Sequence, residues 1–274
     1  MTIICPSCGL ELLRSPYLPD FRAIEDSPCY LCANHPTADP SLVNARVKLI
    51  YDLPAAVGHF LALAGVPKRY RTATWKSVFP EVKSVVPMEL ARQFARGEIP
   101  RRGWALIGDY DGKKSDAEAA FGAGKSAAIA ALGAKHVRNA IARKIPGWLG
   151  DELSLPETQI AWVDWPEKFS WFQAHAIDDE TPGVIERLKR AHILILDDLG
   201  RERFPKDHEA RISIGHDALF QIIAHRNGAE KPVIWTSNYG LDWLNSRYGE
   251  AIMSRLVEDN LPYTVPPCAN RRLV

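Results

Sequence analysis

The sequence predicts an α/β protein: a buried parallel β-sheet between helices, preceded by a small four-cysteine module. Three observations lead there. Short apolar runs at 104–107, 160–163, 192–196 and 232–236 alternate with helix-forming stretches. That is the pattern of strands buried on both faces and joined by crossover helices. Gly122-Ala-Gly-Lys-Ser126 opens one of those helices. Cys5, Cys8, Cys29 and Cys32 form two CxxC pairs near the N-terminus.

The chain has 274 residues, room for one or two domains with a real core. An apolar fraction of 46% and a charged fraction of 24% exclude disordered, collagen-like and coiled-coil classes. Lys+Arg is 34 against Asp+Glu 33, a formal net charge of +1. The total therefore does not announce a strongly basic nucleic-acid binder, although local charge can differ. No run of 18 apolar residues occurs, so no membrane span is expected. MTIICPSCGLELL lacks the basic n-region and long apolar h-region of a secretory signal, so a cytoplasmic protein is expected.

Residues 1–40 read as a zinc-binding module. Each CxxC presents two thiolates to one ion, and 20 residues separate the pairs, a spacing that suits a four-cysteine Zn2+ site. Gly9 lets the first turn close. Two disulfides, or a redox CxxC, are the alternatives, and a reducing cytosol disfavours the first. His35 is a possible replacement ligand. Four thiolates leave no open position, so the metal would be structural and would supply the module's folding energy. Cys268 stands alone and reads as an inert thiol.

The elements follow in order. Residues 34–40 (NHPTADP) read as a turn-rich linker. Residues 41–66 read as a helical linker. Ser41 caps a helix through Val43, Val47, Leu49 and Ile50 that breaks at Pro54, and a second helix carries His59, Phe60, Leu61 and Leu63 up to Gly65. The third unit is 67–274. Its first stretch, GVPKRYRTATWKSVFP, reads as irregular; residues 67–103 hold nine Lys/Arg and three Glu. That surplus suits either a solvated surface or contact with phosphate. Strand 104–107, an Ala-rich helix 125–144, strand 160–163, a helix at 184–190, strand 192–196, a helix through 218–225 and strand 232–236 complete the alternation.

Residues 121–126 (FGAGKS) form the core of a phosphate-binding loop. Gly122 and Gly124 let backbone N–H groups turn toward phosphate, Lys125 would reach the β- and γ-phosphates, and Ser126 would hold Mg2+. Ala119 stands where the full pattern requires glycine. Gly108 follows the first apolar run, and 109–121 read as an insertion in the loop. The run at 193–196 ends in Asp197 and Asp198, the Walker B arrangement. Asp197 would bind Mg2+ and Asp198 would polarise the attacking water. Asn238, at the end of the next strand, suits the γ-phosphate contact called sensor 1, with a turn-forming asparagine as the alternative.

The segments ILILDDLGRERF and EKPVIWTSNYGLDWLNSRYGEAIMSRLVE together resemble bacterial helicase-loader ATPases of the DnaC/DnaI type. They are also similar to IS21-transposition relatives of the IstB type. GVPKRYRTATWKSVF resembles the segment before the ATPase core in this family. The resemblance runs from about Gly65 to the C-terminus. It implies an AAA+ P-loop fold with a parallel sheet between helices, ATP as ligand, and self-association into a ring or spiral. It implies Lys125 and Ser126 as Walker A, Asp197 and Asp198 as Walker B, Asn238 as sensor 1 and Arg255 as the arginine finger. Arg271 or Arg272 is then the sensor 2 candidate; Arg272 is taken here with the ATP-binding set. Only 19 residues follow Arg255 here, so a complete helical lid is not expected. Asp198 departs from the glutamate common in AAA+ proteins.

The expectation is a slow ATPase that loads a replicative DNA helicase onto single-stranded DNA in the cytoplasm of a bacterium, or of a bacterium infected by the encoding phage. By analogy of placement, the zinc module would hold the helicase. The alternatives are a transposition-helper ATPase and a zinc adaptor that binds ATP with little hydrolysis. Trp165, Phe169 and Phe172 fall at i, i+4 and i+7, one buried helix face. Trp171 lies off that stripe and is the candidate for stacking on a base.

Overall fold

The computed structural model describes residues 3–4, 11–12, 53–96, 98–111, 122–144, 160–176, 178–203, 209–258 and 260–266. The four N-terminal cysteines, the helix expected after Ser41, and Cys268, Arg271 and Arg272 lie outside them. Strands β1 (Ile3–Ile4) and β2 (Glu11–Leu12) pair antiparallel, with Ile3 opposite Leu12.

The remaining strands form one sheet. They are β3 (Gly103–Tyr110), β4 (Ile160–Asp164), β5 (Ile193–Leu199), β6 (Val233–Tyr239) and β7 (Asn260–Thr264). Their order is β4-β5-β6-β3-β7, and every pairing is parallel. The helices are α1 (Leu53–Leu63), α2 (Pro80–Val85), α3 (Met88–Arg96), α4 (Lys125–Lys144), α5 (Trp165–Ala174), α6 (Glu180–Arg190), α7 (Glu209–Gly228), α8 (Leu241–Tyr248) and α9 (Glu250–Glu258).

Strand alternation divides the apolar side chains between two cores. Trp104, Leu106, Ile193, Ile195 and Ile234 pack with α1 to α4 on one face. Ala105, Ile107, Leu194, Leu196, Val233 and Trp235 pack with α5 to α9 on the other. Strands buried on both sides read as unbroken apolar runs, which is why the sequence shows them clearly.

Three strands outrun their predicted ends by three residues each, and β4 outruns its end by one, to Asp164. β3 continues to Tyr110, β5 to Leu199 and β6 to Tyr239. The added residues include Asp197, Asp198, Ser237 and Asn238, all buried polar groups. Gly108 is therefore not the start of a loop. It lies inside β3, where a Cβ would come 2.3 Å from the Asn238 carbonyl oxygen, so glycine allows the close approach of β3 to β6.

The stretch after Gly65 is more ordered than its composition suggests. Two 3-10 turns, Lys68–Tyr70 and Trp75–Ser77, precede α2 and α3. Pro80 starts α2 with its fixed φ. β7 (NLPYT) also escapes the apolar-run signal, because an edge strand tolerates Pro262 and half-exposed positions. Its first residue, Asn260, accepts from the Val233 N–H at 3.2 Å and donates to the Leu256 carbonyl at 2.8 Å.

Arg226 of α7 has no exposed surface. Its guanidinium donates to the carbonyls of Leu188, Lys189, Ala191, His192 and Pro232 at 2.7–3.3 Å. It thereby joins the end of α6 to the starts of β5 and β6. Burial pushes its pKa down to about 10, which still leaves it charged at neutral pH.

Candidate nucleotide site

The site forms where the C-terminal ends of β5 and β6 meet the N-terminus of α4. Parallel strands expose their C-terminal ends to the same side of the sheet, and a helix N-terminus there offers unpaired N–H groups. Gly122 and Gly124 have φ of +83° and +84°, a region that glycine enters without penalty. A Cβ on Gly124 would meet the Phe79 ring at 2.7 Å. The glycine thus serves both the turn and the packing of Phe79 against it.

Lys125 and Ser126 are buried, 5% and 8% exposed. The Ser126 hydroxyl donates to Asp197 Oδ1 at 2.7 Å, linking the loop helix to the end of β5. The Thr236 hydroxyl donates to the same oxygen at 2.6 Å and accepts from the Asp198 N–H at 2.9 Å. Burial is the main force pushing Asp197 up to about 6. The Asp198 charge adds to it, and the bonds from Thr236 and Ser126 oppose it.

Asp198 has φ of +60°, a left-handed conformation costing an L-residue about 1–2 kcal/mol. The register between β5 and β6 shifts here, between Leu196 and Leu199, as at a bulge that re-aims a side chain. Asn238 Nδ2 donates to Asp198 Oδ1 at 3.3 Å, and Arg201 Nη1 pairs with Oδ2 at 3.1 Å. The acid thus sits between the Asn238 amide and the guanidinium of Arg201, just beyond the end of β5.

A cavity of about 150 Å3 opens on this group, lined by Tyr70, Phe79, Gly122, Ala123, Gly124, Lys125, Ser126, Ala127, Asp198 and Asn238. Gly122, Gly124, Lys125, Ser126, Asp198 and Asn238 had been singled out from sequence, and the fold brings them together with Asp197 behind them. Three contributors had not. Thr236 was visible as the alternate-position neighbour of Asn238 on one strand face. Tyr70 and Phe79 come from the stretch read as irregular, and no spacing in the sequence ties them to residue 124.

Arg255 lies elsewhere. It projects from the last turn of α9, donates to the Ala251 carbonyl at 2.7 Å, and its guanidinium lies 4.9 Å from the Phe220 ring centroid. It does not line the cavity of its own chain.

No protein-family model matches the chain, and no curated protein matches it. Solved structures do. The crystal structure of the DnaI aligns at 21% identity, covering 73% of this chain and 94% of that one, with a TM-score of 0.50. The crystal structure of the DnaC helicase loader aligns at 20% identity over 73% and 99%, with a TM-score of 0.49. At these identities the likeness is one of fold: helices packed around a five-stranded parallel sheet. β6 stands between the strand that leads to the loop and the strand that carries the acids, so Asn238 faces both.

The aromatic stripe packs as expected: Trp165, Phe169 and Phe172 have no exposed surface. Trp171 is half-buried, stacked 4.6 Å from His175, with Lys168 Nζ 4.7 Å from its centroid. A base stacking on this ring would compete with these neighbours. Trp171 lines a second cleft of about 580 Å3 with Lys68, Arg69, Asp164 and Lys168. Among the described residues, no group of three or more His, Cys, Asp or Glu is placed to hold a metal ion. No helix among them is long and apolar enough to cross a membrane.

Proposed function

We propose that the chain binds ATP with Mg2+ at this cavity and hydrolyses it slowly, as the ATP-dependent loader of a replicative DNA helicase onto single-stranded DNA. The observation that carries the nucleotide reading is the 2.7 Å bond from Ser126 to Asp197. It unites the hydroxyl and the carboxylate that share a Mg2+ in P-loop enzymes. The donor set fits the group: two positive-φ glycines form the loop, a buried lysine follows them, Asp198 and the Asn238 amide line the same cavity, and Asp197 lies behind it, bonded to Ser126.

Ser126 and Asp197 would hold Mg2+, which supplies charge neutralisation at the β- and γ-phosphates. Lys125 and the loop N–H groups bind the phosphates. Asn238 and Asp198 orient the attacking water, and Asp198 accepts its proton. Arg255, which does not line the cavity of its own chain, is proposed to act on a neighbour's γ-phosphate within a ring or spiral. Arg272 is proposed as sensor 2. Cys5, Cys8, Cys29 and Cys32 are proposed to hold one structural Zn2+, in a module that captures the helicase.

The reading of the partner rests on the family resemblance and on neighbours that are themselves named DnaI and a DnaC helicase loader. It is tested with purified full-length chain, a bacterial replicative helicase, an IS21-type transposase, and single- or double-stranded DNA. ATP-dependent deposition of helicase on single strands supports the loader. ATP-dependent recruitment of transposase to duplex DNA, without helicase binding, replaces it with the transposition helper.

A further inference from the structure

The residues immediately after Asp198 are fastened to α8 by a buried polar cluster that the reaction itself does not use. Tyr248, the last residue of α8, accepts from the Gly200 N–H at 2.8 Å and donates to Glu202 Oε1. Arg247 donates to the Glu202 carbonyl and lies 3.5 Å from its Oε2. Ser237 donates to the Leu199 carbonyl at 2.7 Å. Gly200 has φ of +94°, and a Cβ there would meet Tyr239, Leu244 and Trp243 within 3.0 Å. Segment 199–202 is thus held from both sides, and it follows directly on the acid whose own φ is +60°.

Such a cluster is costly unless satisfied. Glu202 is 4% and Tyr248 5% exposed. Burial pushes Glu202 upward, and the Tyr248 hydroxyl and the Arg247 charge oppose that rise. A left-handed aspartate persists only where its surroundings over-determine it. Thr236 fixes the N–H of Asp198, and the Tyr248 hydroxyl fixes the chain on the other side.

We propose that Tyr248, with Glu202 as its acceptor, is a positioning residue that holds the backbone after Asp198 so that the Asp198 carboxylate faces Asn238 and the cavity. Helix α8 ends at Tyr248, and the chain turns at Gly249, whose φ is +81°, directly into α9, which carries Arg255. Displacement of α8–α9 at a subunit contact would therefore reach Asp198 through the Tyr248 hydroxyl. This rests on the ATPase reading above.

The test uses the full chain and measures ATP affinity and turnover separately. Tyr248→Phe keeps the ring and removes the hydroxyl. Because Lys125 and Ser126 are untouched, ATP affinity stays within about twofold. Turnover falls roughly tenfold, the equivalent of one hydrogen bond of transition-state stabilisation. Glu202→Gln still accepts from Tyr248 and retains more turnover than Glu202→Leu. A merely structural Tyr248 would lower the melting temperature of Tyr248→Phe while leaving kcat at the wild-type value, and that result overturns the proposal. Equal turnover in Glu202→Gln and Glu202→Leu overturns it as well. Wild-type protein with no Lys125-dependent hydrolysis overturns the ATPase reading, and the positioning role falls with it.

Discussion

Ser126 and Asp197 meet at 2.7 Å across a sequence separation of 71 residues. Ser126 lies in the first turn of α4 and Asp197 near the C-terminal end of β5. The contact exists because a parallel sheet gathers its strand ends and the following helix starts along one edge. The same oxygen of Asp197 also receives the Thr236 hydroxyl. Two neutral donors thus hold a carboxylate that burial has made costly to ionise.

That cost gives a pH signature. Burial pushes Asp197 up to about 6 from the ordinary carboxylate value of 3.8, so the folded state holds the proton more tightly than the unfolded one. Ionisation of Asp197 then opposes folding. The penalty is absent below about pH 4, grows between roughly pH 4 and 6, and reaches about 3 kcal/mol above that. Asp197→Asn keeps an acceptor for both hydroxyls and is expected to melt several degrees above the wild type at pH 7.5 without nucleotide, with the gap closing near pH 4. Thermal melts across that range check it; a pH-independent gap contradicts it.

Arg226 predicts a large stability effect far from the site. Arg226→Leu fits the apolar surroundings but removes the donor from five carbonyls. Stranded buried acceptors are expensive, so a loss of about 3–5 kcal/mol is expected in urea titrations. A variant within about 1 kcal/mol of the wild type would show that water replaces the guanidinium there.

How much of this was legible in the sequence follows the physics of each signal. Apolar runs revealed the buried strands, because burial on both faces leaves a continuous pattern. The same rule hid the strand ends at Asp198 and Asn238, where polar residues occupy ladder positions, and it hid edge strand β7. FGAGKS and the acid pair announced the site locally. Phe79 under Gly124 and Tyr248 under Gly200 did not, since both are contacts between distant segments. Arg226 reads in sequence as one more helix-end cation, and only the fold shows it buried among carbonyls.

The N-terminal cysteines carry a separate prediction. The full chain, purified without chelator, is expected to hold one zinc per molecule. Cys29→Ser is expected to lose the metal while the melting transition of the nucleotide domain persists. Metal analysis reads this directly, and zinc-free wild-type protein contradicts it.

Arg255 predicts complementation between subunits. Arg255→Ala retains the nucleotide site and lacks the finger; Lys125→Ala retains the finger and lacks a working site. Each alone is expected to turn over little ATP. Their mixture is expected to regain a measurable fraction, since a finger supplied by a neighbour is worth about 10³–10⁵ in rate. A co-assembled mixture as inactive as its parts assigns Arg255 to packing on Phe220.

The most direct measurement is ATP binding and turnover by the wild type, Lys125→Ala and Asp198→Asn side by side. The arrangement of Lys125, Ser126, Asp197, Asp198 and Asn238 predicts slow hydrolysis by the wild type and loss of binding in Lys125→Ala. It predicts that Asp198→Asn binds ATP as tightly as the wild type and turns it over at least about a hundredfold more slowly. Wild-type turnover in Asp198→Asn would contradict the assignment of the base. Undiminished ATP binding in Lys125→Ala would contradict the site itself.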